Sequence, residues 1–369
     1  MPQWFSIVLL DILKMALILA VVPPCMMYTT QLERKAIARI QDRFGPNRVG
    51  PYGLAQPFAD MIKMLVKEDI VPKGSDKLCH LLAPLLIVVP SLFLFTLLPF
   101  GPGFIAAPIS TGLLFFMALG STGTLAIFTA GWTSRSAFPL LGAIRNAAQL
   151  IAYEVPFVLA SAVIPMIVGS LRMTDIVMAQ SVSGWFIFTP WGFTAFLLLF
   201  TAGLAEVNRT PFDLPEAESE LVGGFHTEYS GMKFGLFYLA EYVSTIALAV
   251  LLSVLFFGGW AGPRIPFLPA LGSAILWISM KSFLLVFVTI WIRGTWPRFR
   301  VDRLMGFAWK VMIPVALANL VGAAVWFYCP GFIGTAVSAV LVVSVFLLTS
   351  QLWAAPKPVL TTTWADQTS

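Results

Sequence analysis

The chain has 369 residues, 58% of them hydrophobic and 11% charged, with a mean hydropathy of +0.86. A soluble domain carries about 25% charged residues, so this composition excludes a water-soluble globule and makes lipid the main solvent. The net charge of +5 raises nucleic acid as a partner, but the cations cluster in loops on one side, and nucleic acid is excluded on that pattern.

A membrane-crossing helix needs about 20 apolar residues. Nine such stretches run along the chain, near 5–29, 80–100, 111–131, 147–169, 186–206, 234–260, 272–292, 304–328 and 332–353. Backbone groups in hydrocarbon must be paired internally, and no alternating strand pattern is present. The expected architecture is all-α and integral to the membrane, a single polytopic domain over 1–369. The first stretch lacks a basic region before its apolar run and reads as a retained helix, not a cleaved signal. Asp11 and Lys14 stand three apart within it and are placed to pair. Pro90, Pro156, Pro165 and Pro314 predict kinks.

Four long loops, 31–79, 132–146, 207–233 and 293–303, hold 17 Lys and Arg, whereas the loops of the other side hold only Arg172 and Arg264. The positive-inside rule makes the basic side cytoplasmic. The N-terminus is then outside and the C-terminus inside. Within the first loop, 52–69 reads as an amphipathic helix on the cytoplasmic side. Leu54, Phe58, Met61, Ile62 and Leu65 recur at helical spacing, with Asp60, Lys63 and Lys67 opposite, so this helix is expected to lie along the interface.

The third loop carries Glu206, Asp213, Glu216, Glu218, Glu220 and Glu228 against one cation, Arg209. Its interleaved Pro211, Phe212, Leu214, Leu221, Val222 and Phe225 point to partial burial. Crowded, half-buried carboxylates titrate upward and exchange protons readily when a nearby charge changes. Glu154 and Glu241 fall within spans, where an ionisable group marks function by default; the structural alternative is a pair with Lys281 or Arg145. A proton path through Glu206, Glu154 and Glu241 is expected, with Tyr153, Tyr238 and Tyr242 as bridges. Cys25, Cys79 and Cys329 are too far apart for a metal or cluster site, and two histidines, His80 and His226, are too few for a haem pair.

Four ordered stretches carry a resemblance: ERKAIARIQDRFGPNRVGPYGLAQPFADMIKMLVKE, GWTSRSAFPLLGAIRNAAQLIAYEVP, AEVNRTPFDLPEAESELVGGFHTEYSGMKFGLFYLAEY and IRGTWPRFRVDRLMGFAWK. Together they resemble the H subunit, the quinone-site membrane component, of NADH:quinone oxidoreductase, respiratory complex I. The resemblance implies a multi-pass protein of the bacterial inner (plasma) membrane that walls a quinone chamber and couples quinone reduction to proton translocation. It implies no catalytic residue, metal or cofactor in this chain. Quinone is the substrate, and flavin and iron–sulfur clusters sit in partner subunits of the peripheral arm. It assigns Arg34, Arg43, Phe58, Asp60, Phe225, Arg293 and Arg298 to the chamber, and the third-loop carboxylates with Glu154 and Glu241 to the proton path. The alternatives are a membrane subunit of a related hydrogenase and a self-contained ion-coupled transporter.

Overall fold

The computed structural model describes residues 3–213, 223–329 and 331–354. In chain order the helices are α1 (Gln3–Ile40), α2 (Gln56–Val66), α3 (Lys77–Leu97), α4 (Gly112–Thr133), α5 (Ala137–Val168), α6 (Met173–Ser183), α7 (Pro190–Glu206), α8 (Gly231–Phe256), α9 (Ala270–Thr295), α10 (Val301–Tyr328) and α11 (Phe332–Ala354). The only β pairing among the described residues is an isolated bridge between Gly101 and Phe104. Among the described residues eight helices are long and apolar enough to cross a membrane. The ninth, α7, has 17 residues, about 25 Å at 1.5 Å per residue. The protein is an all-α, multi-pass membrane protein.

Several boundaries differ from the hydropathy reading. Helix α1 does not stop at 29 but continues to Ile40, because Glu, Arg, Lys, Ala and Gln in 31–40 are strong helix formers. Helix α5 starts at Ala137, so most of the second loop is helical. A pair of glycines lets it pack there: a Cβ on Gly142 would lie 3.0 Å from Gly224 Cα, so only bare backbone lets α5 meet the 224–229 turn. The fifth span begins with a 3₁₀ turn, Phe186–Phe188, before α7. Within α10, a π turn at Ala308–Met312 precedes Pro314; its wider winding accommodates a ring that would otherwise strike the carbonyl of residue 310.

Helix α8 is the hub, with Val243, Ala247, Leu251, Leu252, Val254, Leu255 and Phe256 all fully or nearly fully buried. Leu13, Leu114, Leu125 and Leu284 stay exposed on the outside of the bundle, as lipid-facing residues do. The amphipathic helix α2 leaves Phe58, Ile62, Leu65 and Val66 uncovered while Asp60 turns back to the body, where Arg34 holds it at 2.5 Å.

The four basic loops meet at one end of the bundle. Lys233 pairs with Asp69 at 2.8 Å, the Ile70 amide donates to Ser230 Oγ at 2.8 Å, and the Phe299 amide donates to the Pro211 carbonyl at 3.2 Å. At the opposite end Gln180 of α6 donates to the carbonyls of Val254 and Leu255 and accepts from the Gly258 amide. Lys281 of α9 gives its ammonium to the carbonyls of Phe257, Gly259 and Ala261 at 2.7, 2.9 and 2.7 Å. These two side chains satisfy the carbonyls orphaned where α8 ends.

Candidate functional site: a buried charge cluster beside an apolar chamber

The carboxylate of Glu33, on the extended part of α1, is 4% exposed. It accepts from Arg209 Nη1 at 3.1 and 3.2 Å and from Arg293 of α9. Arg209 Nε lies 3.1 Å from Glu241 Oε1 of α8, and its guanidinium stacks 3.9 Å from the Tyr242 ring centroid. Burial opposes the charge on Arg209, but Glu241 and then Glu33 outweigh it, so this guanidinium is held above its ordinary range and stays protonated. Two arginines and two carboxylates drawn from α1, the third loop, α8 and α9 thus form one nearly dry network.

The third loop is folded inward to build this. Gln149 of α5, fully buried, donates to the carbonyls of Ala205 and Phe212 at 2.8 and 2.7 Å. Phe212 packs on Tyr153 and Phe299, and Asp213, 5% exposed, takes Arg298 Nη2 at 2.9 Å. The partial burial expected of this loop holds as far as Asp213. Glu216, Glu218 and Glu220, with Leu214, Leu221 and Val222, lie outside the described residues.

Two cavities flank the network. An apolar chamber of about 740 Å³ is bounded by α1 from Leu17 to Leu32, by Phe95, Phe100 and Phe104, by Ile246 and Val250 of α8, and by Ile275 to Val286 of α9. A small polar pocket lined by Glu33, Arg209, Tyr242, Thr245 and Arg293 shares Thr29 and Val286 with that chamber. A second cavity, of about 100 Å³, lies between α3, α4, α7 and α8 and is lined by Glu206, Asn208, His226, Tyr238, Glu241 and Ser244 among apolar neighbours. It is roomy and polar enough for a few waters. Glu241 therefore touches the arginine network on one side and this cavity on the other.

The sequence-selected residues divide as follows. Arg293 and Glu241 enter the buried network. Arg298 with Asp213, and Arg34 with Asp60, form pairs nearer the surface. Phe58 meets Tyr28 edge-on at 6.4 Å, and Tyr28 lines the chamber, so Phe58 stands at its rim. Arg43 is exposed beyond the end of α1, with Nε on Gln41. Phe225 is not on the apolar chamber: it packs with Phe237 and His226 and lines the polar cavity. Glu206 lines the same cavity, Glu154 accepts from Ser121 of α4, and Glu228 sits half-buried on the turn after His226. The pairing of Glu154 or Glu241 with Lys281 is overturned for a physical reason: the Lys281 ammonium is taken by three backbone carbonyls at the far end of α8. Tyr153 donates to the Leu304 carbonyl at 3.0 Å. Tyr242 is the platform for Arg209, and Tyr238 borders the polar cavity.

The Glu33–Arg209 pair, the apolar chamber and the roles of Ser121 and His226 have no signal in the sequence. Burial pushes the His226 imidazole down to about 4, so it is neutral at pH 7. Burial also pushes the Tyr229 phenol up to about 12. Tyr229 stacks on His80 at 4.0 Å. Among the described residues no three His, Cys, Asp or Glu side chains gather as a metal site.

The described residues thus make a multi-helix membrane protein with a buried arginine–carboxylate network beside a large apolar space. Its relatives identify its family. Residues 13–324 match the NADH dehydrogenase family. The NADH-quinone oxidoreductase H subunit of Dehalococcoides mccartyi is 48% identical over 290 residues, 79% of each chain. That of Geobacillus kaustophilus is 46% identical over 331 residues, 89% of this chain and 97% of the relative. An H subunit of the same enzyme from Syntrophobacter fumaroxidans is 43% identical over 335 residues, 88% of this chain and 98% of the relative. The chain belongs to the family of NADH-quinone oxidoreductase H subunits.

Proposed function

We propose that this chain is a membrane subunit of a proton-pumping NADH:quinone oxidoreductase in the bacterial plasma membrane, with its N-terminus outside and its C-terminus cytoplasmic. It walls the quinone chamber and passes the electrostatic effect of quinone reduction to a proton path. The observation that carries this is that the apolar chamber and the small arginine-lined pocket lie side by side, with Thr29 and Val286 forming part of the wall of both. An isoprenoid tail matches the first by hydrophobic contact. The second, about 10 Å³, is the size of a single water, so it receives at most one carbonyl oxygen of a ring that stays in the apolar space, next to guanidinium donors.

Partner subunits of the peripheral arm supply flavin and iron–sulfur chemistry. This chain's own contribution is binding and charge. Arg209 and Arg293 offer donors to oxygen atoms arriving at the pocket, and Glu33 and Glu241 balance them. Negative charge gained there on reduction is felt strongly at low dielectric, and it shifts the balance at Glu241, which also borders the water-sized cavity with Glu206. Glu206, Glu154 and Glu241 then form the route toward neighbouring membrane subunits, with Asp213 and Glu228 on its cytoplasmic approach; Glu216, Glu218 and Glu220 are assigned to the same path by resemblance alone.

The test is to narrow the junction. Val286→Trp in the assembled enzyme is expected to lower NADH:quinone reductase activity at least tenfold. NADH oxidation by a water-soluble acceptor, which bypasses the chamber, should be unchanged. Quinone reduction at the full rate in an assembled Val286→Trp enzyme would refute the chamber.

A further inference from the structure

Successive residues on a helix point about 100° apart, and on α4 two successive small residues face two different carboxylates. A Cβ built on Gly120 would stand 2.6 Å from Glu206 Oε1 of α7, so the carboxylate occupies the space that any side chain at 120 would take. The next residue, Ser121, has its hydroxyl on Glu154 of α5. The same hydroxyl oxygen is 3.2 Å from the Met117 carbonyl one turn back. A serine hydroxyl has one hydrogen and two lone pairs, so it donates to only one of these acceptors at a time.

We propose that Gly120 and Ser121 form a two-part cradle that positions Glu206 and Glu154 for proton exchange. This rests on the proton-path reading above and deepens it. Gly120 admits the Glu206 carboxylate against α4, where it faces the polar cavity. Ser121 offers Glu154 a hydrogen-bond partner whether or not its carboxyl carries a proton. When Glu154 is ionised, Ser121 donates to its Oε1. When Glu154 carries a proton, the carboxyl O–H donates to Ser121 Oγ and the hydroxyl turns to Met117. The proton arrives or leaves with one O–H rotation and no movement of heavy atoms, which removes the reorganisation that a buried carboxylate otherwise demands. Neither Gly120 nor Ser121 carries the proton onward; both are positioning residues.

The test uses the assembled enzyme in proteoliposomes and reads protons moved per quinone reduced, together with the redox-difference infrared band of the protonated carboxyl groups. Gly120→Ala displaces Glu206 and is expected to lower the ratio at least twofold and shift a carboxyl band. Gly74→Ala, at a first-loop glycine outside the cavity and with no heavy atom within 4 Å of its built Cβ, is expected to do neither. Ser121→Ala is expected to behave like Gly120→Ala, and Ser121→Thr, which keeps the hydroxyl, like the parent. If Gly120→Ala prevents assembly, the Ser121 pair carries the test alone. Glu206→Gln separates the two levels. If it leaves pumping intact, the proton path itself is wrong. If it abolishes pumping while Gly120→Ala and Ser121→Ala match the parent in ratio and infrared band, the cradle is wrong.

Discussion

Glu33 is the buried acid that binds both arginines of the network, and Glu33→Gln is the sharpest probe of it. The substitution keeps the shape and removes one negative charge. Arg209 retains Glu241, but Arg293 loses the carboxylate that it pairs with across 260 residues of sequence. The network then holds two guanidinium groups against one carboxylate, at sites where Glu33 and Arg209 are each 4% exposed. Removing one member of a buried pair costs about 3–5 kcal/mol, because the other charge stays desolvated. Spread over the inward fold of residues 207–213, that is a more than hundredfold rise in the open population of this loop. Trypsin reports on it directly, since Arg209 is shielded while the loop is closed. Cleavage after Arg209 in the solubilised enzyme is expected to accelerate accordingly in Glu33→Gln. Glu33→Gln/Arg293→Gln restores the charge balance and is expected to recover about 1–3 kcal/mol of the loss. If Arg209 stays uncut in the single variant, or the double variant is simply the sum of the two single ones, the network does not hold this loop.

Two further expectations concern the flanks of the site. The imidazole of His226 lies at about 4 by burial, below its unfolded value of about 6.5. Its contribution is therefore complete above pH 6.5 and is lost as pH falls through 6.5 toward 4. That amounts to about 2 kcal/mol between pH 7 and pH 5. Proteolysis or amide exchange around the 224–229 turn should rise over that interval and cease to depend on pH in His226→Gln; a parent turn equally protected at both values would refute it. At the opposite end, Lys281→Met strips the donors from three carbonyls, each worth about 1–3 kcal/mol when left unpaired, offset in part by no longer burying an ammonium. A lower melting temperature of the solubilised complex is expected, and an unchanged one would show that other donors replace the lysine.

What can be read from the chain alone is what local pattern encodes. Apolar runs mark the spans because lipid demands unbroken helix, and the apolar spacing from Leu54 to Leu65 marks α2. Asp11 and Lys14 pair at 3.0 Å, as neighbours three apart on a helix should. The ends of helices are harder. Glu33 to Arg39 look like a loop to a hydropathy window, although their helix propensity favours continuation. Helix α6 has neither an apolar run nor a clear amphipathic face, so pattern alone does not reveal it. Pairings across long separations are beyond reach: nothing in the residues around Glu33 says that its partner is Arg209 and not the adjacent Arg34. The chamber is invisible for a related reason. Its walls are ordinary lipid-type side chains, and only the spacing of α1, α8 and α9 makes them a space.

Helix α1 is a rod of 38 residues, about 57 Å long, with Pro23 and Pro24 near its middle. Neither proline can donate a backbone hydrogen bond, so the ladder is weakest there, and Pro24 lines the apolar chamber. A bulky guest pressing on that wall therefore bears on the one point where the rod bends most easily. Further along, the same rod grips both arginines through Glu33, so one continuous helix is both wall of the apolar space and holder of the paired charges.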